Sequence, residues 1–219
     1  DNVLVTFDDG LISNRVVAEK ILNPMEIKAV FFVVSDFVEI KDHDEAHQFV
    51  ANHIIPGAKK VDIPKAWKNM QWSDLEALLE QGHTIGGHTK RHARLSEGVL
   101  KEELIEELIV SATHVEKTLG MQVEHFAYTF GDIDSFCQEA LSVASSKFKY
   151  IYSGVRGNNA ECVSPLAIRR DAAAFQYTNY EYALFENNLL DAFLGGAADF
   201  RYKEPRERMD SWSQSIRHG

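Results

Sequence analysis

Cysteine is scarce in this chain of 219 residues: there are two, Cys137 and Cys162, far apart in sequence. Two isolated thiols exclude a disulfide framework and a thiolate zinc site, and read as buried free thiols. Positive charge is short as well. Lysine and arginine number 23 against 33 aspartates and glutamates, for a net charge of −10. That balance argues against nucleic acid and against anionic membrane surfaces, whose phosphates would be repelled. No apolar run approaches the ~20 residues a membrane span needs. Internal repeats and low-complexity segments are missing too. What remains suits one large domain over residues 1–219, because α/β barrels routinely exceed 200 residues undivided. With 45% hydrophobic residues the chain can build a substantial core. It begins at Asp1 without Met. A cytoplasmic location is the expectation, with a periplasmic or secreted protein behind a cleaved signal peptide as the alternative.

Apolar strand-like runs at 3–7, 29–34, 84–86, 123–128, 149–153 and 166–169 alternate with helical patterns at 13–22, 73–81, 100–119, 135–146 and 180–194. Ser73 with Glu76 reads as a capping box and Gly82 as the helix stop. Leu100, Leu104, Leu108, Ala112, Val115 and Leu119 recur at helical spacing, closed by Gly120. Alternation of this kind predicts a mostly parallel sheet covered by helices. Residues 37–71 form a long, irregular, insertion-like connection, which either lines or covers a site or is a surface insertion with a helix near 45–54. Residues 203–219 are polar and charged, and read as a tail or peripheral helix.

Chemistry concentrates in two short motifs. The first, Thr6-Phe7-Asp8-Asp9-Gly10, closes the apolar run Val3-Leu4-Val5. Adjacent carboxylates at the end of a buried strand are costly, since each raises the other's pKa. A cation that binds one and leaves the other as a base resolves that conflict. The second motif, His88-Thr89-Lys90-Arg91-His92, offers two imidazoles four residues apart, which can face one metal from a shared turn. Both motifs end strands, where β/α barrels present their chemistry. His43 and His47 share the same spacing, but they sit in the irregular connection among charges and read as a solvated helix face.

TFDDG followed by H-T-x-x-H resembles the polysaccharide deacetylase family, the NodB-homology or carbohydrate esterase family 4 proteins. The lead-in Gly82-His83-Thr84-Ile85-Gly86-Gly87 and the stretch from Met70 to Leu95 are similar to the family's approach to its second motif. His125-Phe126-Ala127-Tyr128-Thr129-Phe130-Gly131-Asp132 resembles the F-A-Y-P-[YF]-G form of the third motif. The resemblance runs from about Val3 to about Asp171. It implies an irregular (β/α)7 barrel, and an enzyme that removes an acyl group, acetyl foremost, from an amino-sugar nitrogen. The F-A-Y-x-F-G variant is similar to members tied to bacterial surface-polysaccharide or lipopolysaccharide synthesis. A non-catalytic carbohydrate-binding protein, or a deformylase or amidase of another small amide, are the alternatives.

The resemblance also assigns roles. Asp9, His88 and His92 would hold one divalent metal, with zinc expected and cobalt, nickel or manganese also compatible with nitrogen and oxygen ligands. Asp8 would be the general base, or failing that a further ligand. The backbone N–H of Phe130 would help stabilise the oxyanion, and Tyr128 would line the sugar site or else be core. Thr129 replaces the usual proline and restores an N–H. Ala127 stands where many members carry the arginine that orients the base, and the D-x-x-D-W motif that tethers it is missing. The family's L-x-x-H motif, which supplies its general acid, has its nearest match at Ile168-Arg169-Arg170-Asp171, with Asp171 in the histidine position. Asp171 could then be the acid if its pKa were raised, and Arg170 could orient Asp8 in place of the lost arginine. His125 faces the same side of its strand as Ala127, about two residues deeper, and is a further supporting candidate.

Overall fold

The computed structural model of the protein describes residues 3–159, 163–171 and 199–217. Five parallel strands lie side by side in sequence order: β1 Val5–Phe7, β2 Ala29–Val33, β3 Thr84–Gly87, β4 His125–Ala127 and β5 Tyr150–Tyr152. All five residues of β2, Ala-Val-Phe-Phe-Val, are buried. A parallel strand covered on both faces reads as such a continuous apolar run. Val5 pairs with Ala29, Phe31 with Ile85, Gly87 with Phe126 and Phe126 with Ile151. The sheet curls as half of a barrel. The segment expected as a sixth strand makes one parallel bridge, Tyr152 to Ile168, rather than a strand. It still runs along β5: Ile168 N–H donates to Ile151 O and Ser153 N–H to Ile168 O, each at 2.9 Å. The expected helix at 180–194 and Cys162 lie outside the described residues.

Helices join the strands. They are α1 Ile12–Val17, α2 Ser35–Glu39, α3 His43–Phe49, α4 Trp72–Glu80, α5 Lys101–Ile105, α6 Ser111–Leu119, α7 Gln138–Ser145 and α8 Lys203–Arg217. Three of them carry wide π turns: α1 runs on through Ala18–Leu22, α3 through Val50–Ile54, and Glu106–Val110 links α5 to α6. The apolar stripe from Leu104 to Val115 is buried as its spacing predicts, and Gly120 ends it at φ 65°. The capping box on α4 lies two residues earlier than expected. Gln71 N–H donates to Asp74 Oδ2 at 2.6 Å, because Trp72 already begins the helix and packs on the core.

The main core gathers Phe31, Leu75, Leu78, Ile85, Leu104, Leu108, Phe126 and Ile151 between the sheet and its helices. Cys137 is a buried free thiol. The 37–71 connection has a small core of its own, Val34, Phe37, Val50, Ile54 and Ile63. Asn69 pins it by donating to the carbonyls of Phe37 and Ile40 at 2.6 and 2.7 Å. The C-terminal segment is a packed helix rather than a polar tail: Met209 of α8 is buried, and Trp212 lies edge-on to Phe136. No helix among the described residues is long and apolar enough to cross a membrane.

Candidate metal centre and active site

The two motifs meet because β1, β2 and β3 are neighbours in parallel register, so the chain beyond each strand opens on one end of the sheet. The acidic turn is anchored on both sides. Asn14 Nδ2 donates to Asp8 O at 2.9 Å, and Met70 N–H donates to Gly10 O at 2.7 Å. The histidine loop is held by Glu107, which is fully buried. Its Oε2 accepts the backbone N–H groups of Lys90 and Arg91, both at 2.9 Å, and its Oε1 accepts Arg91 Nε at 2.8 Å. Charge-assisted bonds to a carboxylate are among the stronger ones a loop can make.

Asp9, His88 and His92 offer one ligand atom each, all within 4.8 Å of one another. Asp9 Oδ1 lies 3.5 Å from His88 Nε2 and 3.3 Å from His92 Nε2. Both imidazoles are oriented from behind. His88 Nδ1 is 2.7 Å from Ala127 O, and His92 Nδ1 is 2.7 Å from His53 O. A carbonyl only accepts, so each Nδ1 carries a proton, and each Nε2 faces Asp9, donating to it while protonated and offering a lone pair to a cation once that proton leaves. Burial pushes the Asp9 carboxyl up, but hydrogen bonds and charge from His88 and His92 outweigh it and hold the carboxyl well below its ordinary range. For His88, burial alone would lower the pKa, yet Asp8 and Asp9 raise it. Three donors this close, competing for protons, form a set that a divalent cation would satisfy by displacing them.

Backbone strain clusters at the same place. Asp9, Thr89, His92 and Phe130 have φ of 74°, 64°, 59° and 61°. Glu26 is the one other non-glycine residue with positive φ among the described residues. Left-handed backbone at such residues persists where the surroundings over-determine it, and it concentrates at functional sites.

Asp8 stands beside the cluster, its Oδ2 4.0 Å from His88 Nε2, and Arg170 grips it. Arg170 Nη1 donates to Asp8 Oδ1 at 2.7 Å and Nη2 to Oδ2 at 2.9 Å. Arg170 is itself fixed by Ser153 O and Thr6 Oγ1, at 3.0 and 3.2 Å, and lies over the ring of Phe32. Phe130 packs edge-on against His92 with ring centroids 4.6 Å apart, and the guanidinium of Arg94 sits 4.0 Å above its face. Thr129 spends its hydroxyl on Ala93 O.

Other expectations fare differently. Tyr128 is buried, stacked on Phe136 at 3.9 Å and edge-on to Phe126. That corrects its assignment as a sugar-lining residue: the ring has no surface to offer. Asp171 pairs with Arg156 at 2.9 Å rather than with Asp8. His125 bonds to the Tyr152 hydroxyl at 2.9 Å, away from the acidic turn's ligands. His47 is buried, not solvated, because the connection folds over it and His43 meets its ring edge-on. Sequence reasoning missed Glu107 and the His53 carbonyl. Glu107 had a signal, a carboxylate set into the apolar stripe beside Leu104 and Leu108. A backbone carbonyl has none.

The family model for polysaccharide deacetylase matches residues 1–146. Among solved structures, the chain is similar to Streptococcus pyogenes deacetylase PplD in complex with acetate, at 21% identity and a TM-score of 0.59 over 77% of this chain and 62% of that one. It is similar to IcaB from Ammonifex degensii at 15% identity and a TM-score of 0.57, over 97% of this chain and 72% of that one. It is also similar to BC0361, a polysaccharide deacetylase from Bacillus cereus, at 20% identity and a TM-score of 0.58, over 82% of this chain and 49% of that one. The chain thus spans about half to under three quarters of these proteins' lengths. No curated protein matches it.

Proposed function

Because the chain belongs to the polysaccharide deacetylase family and shares its α/β barrel architecture, we propose that it is a metal-dependent hydrolase. It removes an N-acyl group, acetyl foremost, from an amino sugar of a bacterial surface polysaccharide or its precursor. The observation that carries this reading is the division of labour between adjacent carboxylates. Asp9 faces two imidazoles whose Nδ1 protons are committed to carbonyls, while Asp8, beside them, is held in the fork of Arg170. A divalent ion held by Asp9, His88 and His92, with zinc foremost, would supply Lewis acidity toward the amide.

The chain's own residues do the rest. Asp8 accepts a proton from the water that attacks the amide carbonyl carbon, and it returns that proton to the nitrogen as the C–N bond breaks, releasing acetate and a free amine. Arg170 is a positioning residue, holding both Asp8 oxygens so that the base has one orientation. Phe130 N–H is the proposed oxyanion donor, on a turn held by the His92 ring and by Thr129. Asp171, engaged with Arg156, is not needed as an acid in this scheme. The intact Asp8–Arg170 pair speaks against a non-catalytic carbohydrate binder, which has no use for an oriented base.

The test is acetate release from N-acetylglucosamine oligomers in the presence of zinc. Asp8→Asn is expected to keep one equivalent of metal and lose ~10²–10⁴ in rate. If Asp8→Asn releases the metal instead, Asp8 is a ligand and the base lies elsewhere.

A further inference from the structure

We propose that the main chain of the 37–71 connection is part of the metal centre. The carbonyl of His53, at the end of the wide turn Val50–Ile54, holds His92 in the tautomer and ring orientation that leave Nε2 free to ligate. This inference rests on the reading that Asp9, His88 and His92 bind a cation.

The two histidines are supported in the same way but from different places. His88 leans on Ala127 O of β4, part of the barrel itself, whereas His92 leans on a carbonyl of the insertion-like segment. The carbonyl is available because of how the helix ends. The last four carbonyls of a helix lack partners within it. After α3 the chain widens, Ile55 N–H reaches back five residues to Val50 O at 2.8 Å, and Ile55 leaves the helix at φ −123°. His53 O is thereby left at the helix end, where His92 meets it.

The position of that carbonyl is fixed by packing. The imidazole of His53 stacks on Phe49 with centroids 4.5 Å apart, and Phe49 stacks on Phe37 at 5.0 Å. Val50 and Ile54, on the same turn, are buried in the segment's own apolar cluster. The bonds of Asn69 to Phe37 and Ile40 tie that cluster to the chain just before α4. The side chain of His53 thus buttresses the turn, while its backbone oxygen makes the contact that matters. Outer partners of metal-binding histidines typically carry 10–100-fold in affinity.

The experiment measures zinc affinity of the full chain by chelator competition, together with the imidazole 15N spectrum of the metal-free protein. His53→Phe keeps both the carbonyl and a ring to stack on Phe49, so its affinity should stay within a few-fold of the parent. Deletion of Asn52 turns the helix end by ~100° and should lower affinity ~10–100-fold, with loss of the protonated Nδ1 signal of His92. An ester in place of the 53–54 amide weakens the carbonyl as an acceptor without changing its shape. It should act in the same direction as the deletion, and it decides the matter if the deletion variant does not fold. Zinc loss on His53→Phe, or unchanged affinity and tautomer in the folded deletion and ester variants, would overturn the proposal. A parent protein that binds no zinc yet shows the Nδ1–H signal, lost on deletion, would sink the metal reading and leave the carbonyl contact standing.

Discussion

Both oxygens of Asp8 accept from the two terminal nitrogens of Arg170, at 2.7 and 2.9 Å. Where the resemblance puts an orienting arginine on the third motif, this chain has Ala127, and the same fork arrives from the segment beside β5. The swap is physically sensible, because a planar bidentate grip depends on the direction of the guanidinium and not on which strand delivers it. Arg170→Ala is expected to leave metal content unchanged and to slow amide and ester substrates alike, by roughly 10², the usual effect of a misplaced catalytic group. Arg170→Lys should recover little, since an ammonium cannot form the fork. A slowing confined to amides would instead point to a role in protonating the leaving amine. At this scale much was legible: Asp8, Asp9, His88 and His92 come together, and Arg170 reaches Asp8. Tyr128 misled because an aromatic at a strand end carries no mark of the direction it faces.

Among the elements, β3 shows why the second motif is preceded by glycines. A Cβ on Gly86 would lie 2.6 Å from the buried ring of Phe32 and 3.0 Å from His125 O. Neither neighbour can retreat, so Gly86→Ala should destabilise the fold by about 1–3 kcal/mol in denaturant unfolding. An unchanged midpoint would mean that the sheet relaxes there. His83, just ahead of β3, knits β2 to the end of the α1 extension as a neutral ring: Nδ1 accepts Ala29 N–H at 3.2 Å, and Nε2 lies 3.0 Å from Asn23 Oδ1. Burial, with the charge of Lys28, lowers its pKa below 6.5. The unfolded chain then binds a proton more readily than the folded one, so this stabilisation is present above about pH 6.5 and fades as pH falls below it. The advantage of the parent over His83→Gln, about 1 kcal/mol at pH 8, should shrink at pH 5. An equal difference at both values would show that His83 does not titrate on unfolding.

Across the whole molecule, the barrel's last described strand is buttressed from the C-terminus. Helix α8 lays Met209 and Trp212 against the main core and packs beside α7, and Arg169, next to the Arg170 that grips Asp8, pairs with Asp210 of α8 at 2.6 Å. The terminal helix thus connects global stability to the end of the sheet that carries the candidate site. Met209→Ala should cost about 2–5 kcal/mol, the range for emptying a buried site of that size, with the thermal midpoint falling accordingly. If thermal unfolding of the variant matches the parent, α8 is not part of the cooperative unit.

The sequence by itself determined the alternation of strand and helix, the apolar stripe from Leu104 to Val115, and the pairing of an acidic motif with a histidine motif. These are local or periodic signals, set by steric preference and by the need to bury one face of each element. Tertiary structure alone decided that Glu107 anchors the histidine loop, that residues 203–217 form a packed helix, and that His53 reaches His92. Each of those contacts joins residues well apart in sequence or made by the backbone. Such contacts depend on where the folded chain brings a group, and residue type does not encode that place.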